Sequence, residues 1–106
     1  MSKYLWQVNY TPEGMKGVLK EGGTGRREMI EKLAANMGGS VESMHFSFGD
    51  SDAFIIADFP SNVDVAALAL TVGAAGAASV KTTVLLTPEE VDQATKKTVD
   101  YRAPGK

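Results

Sequence analysis

Few residues in this chain could do chemistry, and they are scattered. In "FGDSDAF", Phe48 to Phe54, Asp50 and Asp52 stand two apart around Ser51, behind Gly49. On one strand, residues i and i+2 point to the same side, so the pair could split its pKa values for acid–base work or hold a hard cation. A hard cation needs several more oxygen ligands, and no matching acidic cluster is present, so no metal site is expected. Gly and Asp are also turn formers, and Gly49 and Asp50 are read as the turn of a hairpin. Asp52 differs, because it opens a strand, where aspartate is disfavoured. It is the carboxylate retained as a candidate acceptor or base.

His45 is the single histidine and a candidate general base. A hydrogen-bonded histidine in a subunit interface would explain it equally well. Lys81 is either an amine with a task or the partner of Asp52 or Asp58 in an ion pair. Arg26 and Arg27 follow the glycine-rich "EGGTG" and open a helical stretch, where cations oppose the helix dipole. A bound anion would offset that cost, as would pairing with Glu21, Glu28 or Glu31. No phosphate-loop sequence accompanies them, so no nucleotide cofactor is implied. The chain lacks cysteine, which removes thiolate ligands, disulfides and cysteine nucleophiles and fits a reducing, cytoplasmic setting. No nucleophile–base–acid set is apparent, and the residues leave both an enzyme and a binding protein open.

The elements that must position these residues follow from periodicity. "KYLWQVNY" (Lys3–Tyr10) alternates as a strand. Thr11-Pro12-Glu13 begins a helix that Gly22-Gly23 interrupts, that restarts at Thr24 and that Gly38-Gly39 stops. "VESMHFSF" (Val41–Phe48) and "DAFIIADF" (Asp52–Phe59) are strands joined by a hairpin. A helix over Val63–Ala75 is apolar almost all round, with Val63, Ala66, Ala67, Leu70 and Ala74 sharing one face. "SVKTTVLL" (Ser79–Leu86) is the fourth strand. Thr87 and Glu90 form a capping box for a third helix running to about Thr98, before an extended tail over 99–106.

This β-α-β-β-α-β order, plus a terminal helix, defines a ferredoxin-like α+β fold with a four-stranded antiparallel sheet and helices on one face, in one domain over 1–106. Alternation puts Trp6, Val8, Met44, Phe46, Phe48, Val80 and Val84 toward the helices. Gln7, Asn9, Ser43, His45, Ser47, Lys81 and Thr83 fall on the uncovered side. An uncovered sheet face and an all-round apolar helix predict a homo-oligomer. The aromatics Trp6, Phe46, Phe48 and Phe54 fit a core better than a pocket. With a net charge of −2 and no basic aromatic signature in the third strand, nucleic-acid binding is excluded. The longest apolar run, Val65–Val80, is broken by Gly73 and Gly76 and does not predict a membrane span, and the N-terminus does not read as a signal peptide.

"YLWQVNYTPEGMKGVLKEGG", "FGDSDAFIIADFP", "VKTTVLLTPEEVDQA" and "YRAPG" together resemble the GYD domain family, small bacterial and archaeal proteins named for a Gly-x-Tyr-Asp motif at the β-hairpin. Gly49 and Asp52 match the motif's glycine and aspartate, and Ser51 stands where the family has tyrosine. The resemblance extends to the dimeric α+β barrel group, in which ferredoxin-like protomers associate through open sheets. That group spans cofactor-free oxygenases, haem-handling enzymes, isomerases and small-molecule sensors. It implies a cavity walled by open-face residues such as Gln7, His45 and Lys81, with no cofactor expected here. The other reading is an accessory protein whose open face is purely an interface.

Overall fold

The computed structural model describes residues Met1–Lys106. Its elements are β1 (Ser2–Tyr10), α1 (Pro12–Asn36), β2 (Ser40–Phe46), β3 (Ala53–Phe59), α2 (Asn62–Ala75), β4 (Ala78–Leu85) and α3 (Pro88–Thr95). The sheet order is β2-β3-β1-β4, with every neighbouring pair antiparallel. This is the ferredoxin-like α+β arrangement expected from the element order.

Local chemistry places the boundaries. The Thr11 hydroxyl accepts the Gly14 N–H and donates to the carbonyls of Gly76 and Ala77, so the cap of α1 also ties that helix to the end of α2. Gly14 allows this approach, since a Cβ there would stand 1.9 Å from the Ala77 carbonyl oxygen. At Gly22 (φ 79°, ψ 169°) α1 is kinked, where the glycine pair predicts a break. Ser61 caps α2, and Gly76 (φ 80°) ends it in the left-handed conformation that glycine adopts without strain. The Thr87–Glu90 capping box starts α3, which ends at Thr95 and not near Thr98.

The core lies between the sheet and the first two helices. Tyr4, Trp6, Val8, Ala53, Ile55, Ala57 and Phe59 meet Ala34, Val65 and Leu68 there. Trp6 stacks at a tilt on Phe59 with ring centroids 5.4 Å apart. The buried face of α2 is Val65 and Leu68, whereas Val63 and Leu70 are about three-quarters exposed. The sequence pattern, apolar almost all round, does not single out this stripe. A helix apolar on all sides carries no preferred direction, and the positions of β1 and β3 decide which stripe is covered.

Two other expectations about the core fail at the hairpin and the sheet edge. Phe48 lies beyond the end of β2 and is fully exposed, and Val84 on edge strand β4 is half exposed. Neither is covered by a helix.

α3 buries none of its residues, and no helix or strand follows it. The molecule is correspondingly long, 55 × 33 × 24 Å, with a radius of gyration of 16.8 Å. A compact chain of this length would have a radius of about 13 Å. No helix is long and apolar enough to cross a membrane.

Candidate functional site

The candidate residues divide between the two faces of the sheet. Cross-strand pairing sets His45 opposite Phe54, Phe54 opposite Gln7, and Gln7 opposite Lys81. Directly paired residues share a face, so these four form one row across the uncovered side. Leu5 and Ile56 pair beside them on the same face. Phe54 is therefore neither core nor a neighbour of Trp6. It stands about two-fifths exposed between Gln7 and His45.

Lys81 makes no ion pair. Asp58 is taken instead by Lys3 at 3.1 Å, and the same ammonium reaches Glu42 at 2.5 Å. Glu42 can do this because β2 slips register between Val41 and Ser43, and the extra residue re-aims its side chain. The two carboxylates hold the Lys3 ammonium above its ordinary pKa, chiefly through the hydrogen bond from Lys3 to Glu42 and then that to Asp58. The expected partnership of Lys81 with Asp52 or Asp58 is thus replaced. Three strands meet at Lys3, whereas Lys81 stands on edge strand β4.

Asp52 belongs elsewhere. It is the last residue of the turn, not the first of β3, and three backbone-directed hydrogen bonds fix it. Its N–H donates to the Val8 carbonyl at 2.8 Å and its carbonyl accepts the Ser47 N–H at 2.9 Å. Its carboxylate oxygen Oδ2 accepts the Tyr10 N–H at 2.9 Å. The side chain thus ends the β1–β3 ladder by replacing a main-chain acceptor. Asp50 lies out in the turn, and the two carboxylates share no partner.

Beside Asp52 a cleft of about 330 Å³ opens between the first half of α1 and the hairpin. Tyr10, Met15, Val18, Phe46 and Phe48 give its apolar walls, with Gly23, Ser47 and Asp52 completing the lining. The kink at Gly22 shapes the cleft. The chain passes so close that a Cβ on Gly23 would stand 3.2 Å from the Phe46 ring. Phe46 faces the helices as expected from alternation, yet it stays two-fifths exposed because it forms a wall of this opening.

Ser51, the turn residue between Asp50 and Asp52, is buried at 6% exposure. Its hydroxyl lies 3.5 Å from Gln7 Oε1, a long contact, and its carbonyl accepts the Ser47 hydroxyl. The position therefore closes the turn and supplies no phenol.

The two arginines point apart. Arg26 lies over the Tyr10 ring at 5.9 Å and faces Glu21 at 4.0 Å, while Arg27 lines a depression with Glu31, Glu42 and His45. Sequence reasoning singled out both without separating them, because adjacent helical residues differ in direction by about 100°. Trp6 Nε1 and Arg26 Nε are buried donors without a protein acceptor, and both side chains line a small cavity of about 50 Å³ behind Tyr10.

The cleft's remaining residues escaped sequence reasoning. Tyr10 reads as a strand end, Met15 lies inside the first helical stretch, and Phe46 and Phe48, weighed for a pocket, read as core. The signals available were the aromatic character of Phe46 and Phe48 and the proximity of the set to the two interruptions, Gly22-Gly23 and the hairpin turn.

The fold and this hairpin define the class, a ferredoxin-like α+β domain with a Gly-x-x-Asp turn joining edge strand β2 to central strand β3. The family model for the GYD domain matches residues 4–95. The chain belongs to the GYD domain family. Comparison with curated proteins and with solved structures returned no match.

Proposed function

We propose that this protein is a homo-oligomeric small-molecule-binding domain whose ligand occupies the cleft between α1 and the hairpin. The observation that carries the reading is the cleft itself: about 330 Å³, walled by apolar side chains and bearing one carboxylate held by the Tyr10 N–H. Concave apolar sites with few, fixed polar groups are the usual form of small-molecule sites. The double duty of Asp52 adds support, because the same residue terminates the ladder and faces the cleft.

Titration of the full chain with a small neutral aromatic such as indole, followed by amide NMR, tests the site. The expected shifts cluster at Gly23, Ser47 and Asp52. Shifts confined to Gln7, His45 and Lys81 would move the site to the open face, and no shift at millimolar indole would end the reading.

A second element of the proposal concerns the open face. Leu5, Phe54 and Ile56 leave an apolar centre there, rimmed by Gln7, His45 and Lys81. A second copy is the occupant that this surface fits, because one two-fold axis would cover both apolar centres at once. The same stripe supports the accessory reading, in which this face serves assembly alone.

A further inference from the structure

We propose that the cleft takes a small alkylated ammonium ion, with the Asp52 carboxylate as its counter-ion and the rings of Tyr10, Phe46 and Phe48 as its walls. The inference rests on the cleft being the binding site and adds the chemical class of the ligand.

Charge is the first argument. The cleft lining holds one carboxylate and no lysine, arginine or histidine. Asp52 takes part in no ion pair, since the chain's pairs are Lys3 with Glu42 and Asp58, and Arg26 with Glu21. Arg26 approaches Tyr10, but its guanidinium is the one paired with Glu21 and does not line this cleft. A carboxylate set among apolar groups favours a cation that arrives with the ligand.

The kind of cation follows from weighing the few acceptors against the apolar walls. A primary ammonium carries three N–H donors and a guanidinium five, and each buried donor needs a partner. Here Oδ2 of Asp52 already accepts the Tyr10 N–H, and the Ser47 hydroxyl gives its one proton to the Ser51 carbonyl, which leaves its oxygen only as an acceptor. What is left to a ligand is the rest of one carboxylate, the only charged acceptor in the lining, and the neutral Ser47 oxygen. A hard metal ion would want six or more oxygens. A tertiary or quaternary ammonium needs at most one acceptor, and its positive charge is spread over alkyl groups that pack on apolar walls.

The walls match that demand. Aromatic faces attract alkylammonium groups through the ring quadrupole, and several rings about one cation form a cage. Three of the cleft's five apolar side chains are aromatic. Phe48 has no packing role in the fold that would account for it, being fully exposed at the hairpin.

The test uses the full chain with choline and with 3,3-dimethyl-1-butanol, which has the same shape with carbon in place of nitrogen. Choline is expected to bind at least tenfold more tightly, and the preference should shrink as salt rises. Asp52→Asn keeps an acceptor for the Tyr10 N–H and is expected to abolish the preference without weakening the alcohol. Phe48→Ala, at a position outside the core, should weaken choline severalfold. Equal affinity for the two probes in the parent would overturn the proposal, as would choline affinity unchanged in Asp52→Asn. If neither probe binds while indole still shifts Gly23 and Ser47, the ammonium assignment falls and the cleft stands. If indole also leaves them unmoved, both fall.

Discussion

At the scale of single residues, Asp52 and Gly14 show how little of a residue's role lies in its type. Asp52 acts as a main-chain acceptor for the Tyr10 N–H, at 2.9 Å. Removing it strands a partly buried donor, so Asp52→Ala should destabilise the fold by about 1–2 kcal/mol, and Asp52→Asn by under about 1 kcal/mol, in urea unfolding. Equal losses in the two variants would show that the hydrogen bond to Tyr10 is not what holds the turn. Gly14 is a different case. A methyl group there would overlap the Ala77 carbonyl, which sits on the backbone and cannot swing aside. Gly14→Ala is therefore expected to lose more than about 2 kcal/mol despite the better helix propensity of alanine, because forced overlap outweighs a propensity gain of about 1 kcal/mol. A thermal midpoint at or above that of the parent would contradict the close approach of α1 to the end of α2.

At the scale of elements, α3 is held by its own chemistry and the sheet by long-range pairing. The α3 helix has a complete capping box and no buried residue. An eight-residue helix is marginal in water without tertiary support. Thr87→Ala should therefore lower helical circular dichroism slightly and leave the global unfolding midpoint unchanged within about 0.5 kcal/mol. A larger fall would mean that α3 packs on something in the assembled protein. Lys3 joins three strands through Glu42 and Asp58. Its folded-state pKa is raised, so this contribution is complete below the ordinary lysine range and disappears as pH rises through the raised value. In alkaline melts the parent should lose stability more steeply than Lys3→Met across that window. Parallel curves would remove Lys3 from the pH dependence.

At the scale of the whole molecule, the sheet has one covered and one open face, and the chain ends in an arm that lies off the core. The open face predicts association. Light scattering of the parent should give a multiple of the 11.2 kDa chain mass. Phe54→Glu, placed at the centre of the apolar row, should return a folded single chain, since Phe54 contributes to the exposed side and not to the core. A parent mass of one chain at micromolar concentration would dismiss the second copy, and an unchanged oligomer in Phe54→Glu would move the interface elsewhere.

Much of this architecture was written in the sequence. Strand alternation, the Thr11-Pro12 start, the glycine stops and the Thr87–Glu90 box act within a few residues, so they could be read without neighbours. The same alternation placed Gln7, His45 and Lys81 on one face, where cross-strand register then set them in a single row with Phe54. What only the tertiary structure decided depends on surfaces that are far apart in the chain. The covered stripe of α2 was undetermined because its apolar pattern has no direction. The partner of Asp58 was Lys3, 55 positions away, and not Lys81. Phe46 and Phe48 became cleft walls because the kink at Gly22 leaves part of the helix-side face uncovered. Asp52 was marked by its residue type. That its carboxylate would end a strand ladder and close an aromatic cleft followed only once β1, α1 and the hairpin had been brought together.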